Sequence, residues 1–276
     1  MKMNAFLSII VLTLLFMSCN KHNDDEQNNN TSNNSKRLRA FKYLEGSDSL
    51  KYTYTYDNQN RISITNGYSY QAGALTDGLI TTNFYNGNDT LPLYIKSDFT
   101  DNAGTITGTA YEYFYYNASG KLIKDSIQFS ASYSIVYNFE YFTDHFKVTT
   151  TNVLDTVITE QTISNGNVTA EMDTVYGPFI SDFSVNEHIS YDNHPNPFFY
   201  TAVRRVLHYM PENELQEDII PAFKNNPSDY TRVTTGMPPQ NDHTQYTYVY
   251  DADGYPTTVN ITDVINSTTN AGYYYY

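Results

Sequence analysis

Tyr246-Thr247-Tyr248-Val249-Tyr250-Asp251-Ala252-Asp253-Gly254-Tyr255-Pro256 is the stretch that decides the fold. Tyr alternates with Thr or Val over residues 246–250, the period of a β-strand with aromatics on one face. Asp251 then offers a carboxylate to its own backbone at the entry of a turn. Gly254, at the fourth place, takes a positive φ without steric cost. Working outward, Tyr52-Thr53-Tyr54-Thr55-Tyr56 runs into Asp57-Asn58-Gln59-Asn60-Arg61-Ile62, and Tyr116 into Asn117-Ala118-Ser119-Gly120-Lys121-Leu122. The same unit, an aromatic strand, an Asx turn and a resumed strand, occurs three times.

Between these units lie further runs rich in β-branched and aromatic residues. Strands are expected at 78–85, 91–99, 104–111, 123–130, 134–142, 146–154, 157–164, 168–175, 230–235 and 257–264. The chain holds 28 Tyr, 15 Phe and no Trp, with Asn, Asp and Gly between the runs. The expected fold is all-β: an antiparallel meander of hairpins curled into a barrel or half-barrel. One stretch breaks the pattern. Pro211 and the acids that follow suit the start of a short helix that Pro221 ends, so a helical or irregular insertion is expected near 200–225.

The N-terminus has a different character. After Lys2, residues 5–17 are apolar except for Ser8 and Thr13, too short a run to span a bilayer as a helix. The break Phe16-Met17-Ser18-Cys19 resembles the lipobox of bacterial lipoproteins, with Phe16 in place of the usual leucine. That resemblance implies a signal peptide over 1–18 and acylation of Cys19, hence a membrane partner through the lipid. Residues 20–35 lack apolar side chains and read as a disordered tether with a reach of roughly 20–25 Å. The expected organisation is signal 1–18, anchor and tether 19–36, and one β-domain over 37–276. Cys19 is the only cysteine, so the β-domain has no disulfide, no thiolate zinc ligand and no cysteine nucleophile.

The hairpin unit resembles the YD repeats of Rhs-type proteins. It also resembles a group of Bacteroidetes exported lipoproteins, without an established activity, described as having a porin-like fold. Tyr191-Asp192-Asn193-His194-Pro195-Asn196-Pro197-Phe198 looks like a segment recurring in that group, and Asn270-Ala271-Gly272-Tyr273-Tyr274-Tyr275-Tyr276 like its terminal strand. The acidic run Asp24-Asp25-Glu26 resembles the surface-export signals of such lipoproteins. The implied location is the outer membrane, on its periplasmic face or at the cell surface. Asp followed by Ser or Thr and an apolar residue resembles the O-glycosylation acceptor of Bacteroidetes exported proteins. It marks Ser49, Thr90, Ser126, Thr156 and Thr174; a turn Asp before a strand residue explains the same pattern.

The functional signals are sparse. A net charge of −14 disfavours nucleic acid and anionic surfaces as partners of the whole molecule. His188 and His194 flank Asp192 within what reads as a proline-rich turn, and no histidine pair has metal-ligand spacing. Asp251 and Asp253 are a fragment of a calcium loop without its remaining ligands. No catalytic residue, metal or cofactor is assigned. The expectation is a non-enzymatic, lipid-anchored envelope protein binding a glycan, peptide or small apolar ligand, since Tyr combines ring area with a hydroxyl. The alternatives are a structural or accessory subunit of an outer-membrane complex and an enzyme with a concealed carboxylate pair. Oligomeric state is not read from the sequence.

Overall fold

The computed structural model describes residues 36–89, 92–130, 133–143, 145–151, 156–165, 167–176, 183–197, 225–235 and 241–276. Its strands are β1 Ala40–Glu45, β2 Asp48–Tyr56, β3 Ile62–Gln71, β4 Ala74–Tyr85, β5 Pro92–Asp101, β6 Ile106–Tyr116, β7 Leu122–Ser130 and β8 Tyr133–Tyr141. They continue as β9 His145–Thr151, β10 Thr156–Ser164, β11 Asn167–Tyr176, β12 Phe183–Pro195, β13 Asn225–Thr235, β14 Asn241–Tyr250, β15 Pro256–Asp263 and β16 Thr268–Tyr275. Each strand pairs antiparallel with its sequence neighbours, and β1 pairs with β16 through Ala40↔Tyr275 to Leu44↔Ala271. The barrel is therefore closed, which settles the choice between barrel and half-barrel and leaves no sheet edge.

Sequence alternation finds β2, β14 and most of the others. It misses β1 and β12, and it gives β3 only as the strand resumed at Ile62, without its extent. The segment 191–195, expected as a turn, continues β12, and Tyr191 and Pro195 pair across to Pro227 and Asn225. Pro195 and Pro227 stand where the register shifts, so neither breaks a regular ladder. The insertion expected near 200–225 lies outside the described residues up to Asn225, which opens β13.

The repeated turns share one mechanism. Asp57 Oδ1 accepts from the backbone N–H of Gln59 and Arg61, Asn117 Oδ1 from Ser119 and Lys121, and Asp251 Oδ1 from Asp253 and Tyr255. The fourth residue is left-handed in each, with φ of 67° at Asn60, 78° at Gly120 and 82° at Gly254. The tyrosine before the Asx has a different duty. Tyr56 donates its hydroxyl to Leu38 O at 2.8 Å and Tyr116 to Pro92 O at 3.1 Å. Tyr85 ties to Ile62 O at 2.8 Å, Tyr191 to Val168 O at 2.6 Å and Tyr276 to Pro256 O at 3.0 Å. Each bond links the end of an even strand to the start of the strand before it. The described chain begins, and Tyr276 lies, at the same rim as the ends of the even strands, the near rim; the ends of the odd strands form the far rim.

Sixteen strands enclose an aqueous channel in porins. Here the inward positions are almost wholly buried, and apolar and aromatic side chains share them with polar ones such as Thr81, Ser97 and Glu112. One cluster centres on Leu79, Ile95, Phe114, Ile127, Phe139 and Val148, another on Phe41, Tyr52, Tyr54, Tyr246, Val259 and Tyr274. A methyl at Gly272 would lie 2.7 Å from the Phe41 ring and 2.8 Å from Val259, so Gly272 lets that ring lie on its backbone. The outward face is polar with scattered apolar residues, Met172, Val233 and Val249 among them. Across β8–β10, Asn138, Thr149 and Ile158 stand in one row, and the charged side chains Glu140, Lys147 and Glu160 in another.

Candidate functional site

Two inward features depart from apolar filling. The first is a row of polar side chains that pairing places directly opposite one another. Gln161, Glu171, Glu187, Arg232 and Asp242 stand on β10 to β14 in consecutive register. Gln161 donates to Glu171, Tyr230 donates to Glu187 at 2.6 Å, and Arg232 lies 3.8 Å from Glu187 and 3.5 Å from Asp242. One step along β11, Thr159 donates to Asp173 at 2.5 Å. Burial pushes the Glu171, Asp173 and Glu187 carboxyls up, with mutual repulsion adding to it at Glu171 and Asp173. Elsewhere Asp125 on β7 is buried, and the Ser126 backbone N–H offsets only part of the cost of burying its carboxylate. Burial likewise drives its pKa well up.

The second feature is the tyrosine-lined inner end of the near rim. Tyr248 and Tyr250 stack at 5.9 Å, and His194 lies flat on Tyr250 at 3.9 Å. The Tyr250 hydroxyl donates to Asp192 and accepts from Asn226 at 3.3 Å. Burial raises the Tyr248 and Tyr274 phenols far above their ordinary range, and the neighbouring phenols Tyr54, Tyr250 and Tyr276 and the Asp192 carboxylate add to this. These groups therefore converge on one space. Within it the hydroxyls of Tyr54 and Tyr248 and the Asn226 Oδ1 are buried with no hydrogen-bond partner among the described residues. Unmet buried polar groups are rare in proteins, and here three lie at one end of the barrel.

The residues singled out in the sequence are spread around the wall. Cys19 and Thr90 lie outside the described residues. Ser49, Ser126, Thr156 and Thr174 all stand at outward, half-exposed strand positions. Asp125 and Asp173, which precede two of them, turn inward and are buried. His188 faces outward on β12, whereas His194 joins the tyrosine end, so the two histidines do not form one site. Asp251 and Asp253 bind Lys36 at 2.8 and 2.6 Å rather than each other's ligand, and Lys36 holds the Asp251 carboxyl below the usual range. The acidic row and the Asp192–Tyr250 bond escape sequence reading, because their members are 10 to 58 residues apart and only strand register brings them together. No group of three or more His, Cys, Asp or Glu able to hold a metal occurs among the described residues.

No protein-family model and no curated protein matches the chain. Solved structures do. A porin-like protein from Bacteroides vulgatus aligns with a TM-score of 0.50 at 12% identity, over 87% of this chain and 98% of that one. A porin-like protein from Bacteroides uniformis aligns with a TM-score of 0.46 at 15% identity, over 86% of this chain and 96% of that one. At 12% identity the first of these likenesses is one of fold.

Proposed function

We propose that the chain is a lipid-anchored protein of the outer membrane, attached through Cys19, whose barrel does not cross the bilayer and acts as a non-enzymatic binding module. The observation that carries this reading is the direction of the side-chain alternation. A membrane-spanning barrel turns a continuous apolar band outward and polar groups inward. This barrel turns Leu79, Ile95, Val148 and Val259 inward beside its buried polar groups, and outward it sets Thr, Ser, Asn, Lys and Glu between scattered apolar residues, charges included. Such a wall is suited to water. The absence of a helix long and apolar enough to cross a membrane among the described residues leaves this argument to the strands alone.

Among glycan, peptide and small apolar ligands, the tyrosine end favours a glycan. Phenol rings supply flat apolar area, and the Tyr54, Tyr248 and Asn226 groups supply unused hydrogen-bonding capacity for a hydroxylated ring. The full-length chain with Cys19→Ser tests the first part: it should be monodisperse in buffer without detergent and give no conductance steps in planar bilayers. Stable channels would overturn the reading. For the ligand, Tyr54→Phe with Tyr248→Phe should cut the affinity for any oligosaccharide that raises the melting temperature at least tenfold, the scale of two lost hydrogen bonds. Unchanged affinity removes this end as the site.

A further inference from the structure

We propose that the near rim rests on the lipid bilayer along an arc from β4 to the β8–β9 turn, with Leu93, Ile123 and Phe142 entering the headgroup layer. This rests on the lipid-anchor reading above and adds to it a defined contact and orientation.

The first support is where the chain leaves the barrel. Lys36, the first described residue, is pinned to the near rim by Asp251 and Asp253 and lies 5.9 Å from the centre of the Tyr255 ring. Only residues 20–35 separate Cys19 from Lys36, and a flexible chain of that length has an r.m.s. span of roughly 20–25 Å. An acylated Cys19 therefore keeps this rim, and not the far one, close to lipid.

A second support is a broken rule. In seven strands that follow a turn, one residue bulges out of the ladder: Ser63, Thr76, Leu93, Thr107, Ile123, Thr169 and Thr257. Five are Ser or Thr, and each donates its hydroxyl to the carbonyl facing it across the ladder, Ser63 to Thr55 and Thr257 to Val249 at 3.1 Å for example. Leu93 and Ile123 give up that bond and put an aliphatic side chain into the surroundings, 55% and 42% exposed. In water both choices are unfavourable; at a lipid surface the second is favourable. The two exceptions belong to β5 and β7. Phe84 and Tyr115 on β4 and β6 are exposed beside them, and Phe142 follows in the β8–β9 turn, 52% exposed. Local consistency fails here on consecutive strands, as it does where a surface has a partner.

Charge agrees. Lys121 and Lys124 flank Ile123, 4.9 Å from the Tyr141 ring centre and 5.2 Å from that of Tyr115, and can reach headgroup phosphates from there. The far-rim turns and the strand ends beside them carry Glu45, Asp48, Asp101 and Asp263, and no Lys or Arg among their described residues. The far rim also exposes apolar residues, Ile106, Tyr133 and Ile265 among them, but on strands that are not consecutive.

The chain has no Trp, so a single introduced Trp reports its own surroundings. Acylated full-length protein carrying Leu93→Trp, Ile123→Trp or, on the far rim, Ile265→Trp would be placed on vesicles of phosphatidylethanolamine and phosphatidylglycerol with brominated acyl chains. Leu93→Trp and Ile123→Trp should shift to the blue and lose at least half their emission to bromine, while Ile265→Trp is unaffected. Protein that floats with the vesicles while all three reporters stay unquenched overturns the docking and leaves the anchor standing. Protein that does not float overturns the anchor, and the docking falls with it. A blue shift without quenching marks a glycan, a protein or a second copy on the arc and also overturns the proposal. In the Cys19→Ser chain, Leu93→Thr with Ile123→Thr should lower residual vesicle binding at least tenfold with the melting temperature preserved; unchanged binding counts against the arc.

Discussion

The hairpins β5–β6 and β6–β7 share a strand and turn at opposite rims. Their turns are chemically the same: Asp101 Oδ1 accepts from Ala103 and Thr105 N–H with Gly104 at φ 80°, as Asn117 does from Ser119 and Lys121 with Gly120 at 78°. What surrounds them differs. The far-rim hairpin keeps its bulge bond although Ile106 beside the turn is exposed: Thr107 donates to Phe99 O at 3.3 Å, and Thr109 donates to Asp98 at 2.7 Å. On the near-rim hairpin an aliphatic Ile123 occupies the bulge and Asp125 is buried with no ion-pair partner among the described residues, while Tyr116 adds a tie to Pro92 that Thr100 cannot make. Turn formation is therefore a local matter that both rims solve alike, and the departures lie on the rim where the described chain begins.

The largest effect that separates the two hairpins is expected at Asp125. Its folded pKa is raised by burial, so the stability associated with its protonated form is complete below the ordinary carboxylate range and is lost as pH rises toward the folded value. Asp125→Asn should therefore raise stability at pH 7 by about 2 kcal/mol and change it little at pH 4. Denaturant titrations at the two pH values check this, and equal effects at both would show that the carboxyl is not held protonated. Gly120→Ala and Gly104→Ala should each cost about 1 kcal/mol, because each puts a Cβ at positive φ. A marked inequality between them would break the claim that the turns are alike. Tyr116→Phe should cost about 1 kcal/mol through the lost bond to Pro92, whereas a Phe-for-Tyr change at the outward Tyr111 should cost little. Smallest is the bulge exchange: in aqueous buffer Ile123→Thr should gain, and Thr107→Ile lose, about 0.5 kcal/mol each.

Legibility in the sequence followed physical range. The Asx turns were readable because Asp57, Asn117 and Asp251 bond groups only two and four residues away. Strands with strict alternation, such as β2 and β14, were equally readable. Only the start of β3 was, since Thr65 and Gly67 fill inward positions next to Tyr54 and Tyr52, where a small residue serves a large cross-strand partner. The segment 191–195 misled for a related reason. Its prolines suggest a turn, yet register shifts in β12 and β13 accommodate Pro195 and Pro227 within the sheet. The tyrosine end was half visible: the aromatic runs were evident, but Asp192 lies 58 residues from the hydroxyl it binds.

By itself the sequence determined the all-β class, the hairpin turns and the aromatic alternation, because those depend on residues within one turn or one strand period. It also fixed the single cysteine and the polar stretch that follows it. Only the tertiary structure decided that the sheet closes, since β1 and β16 meet across more than 220 residues. It likewise decided which face of each strand is inside and which side chains share a row. Those depend on register, and a one-residue slip would exchange the buried and the outward face of a whole strand.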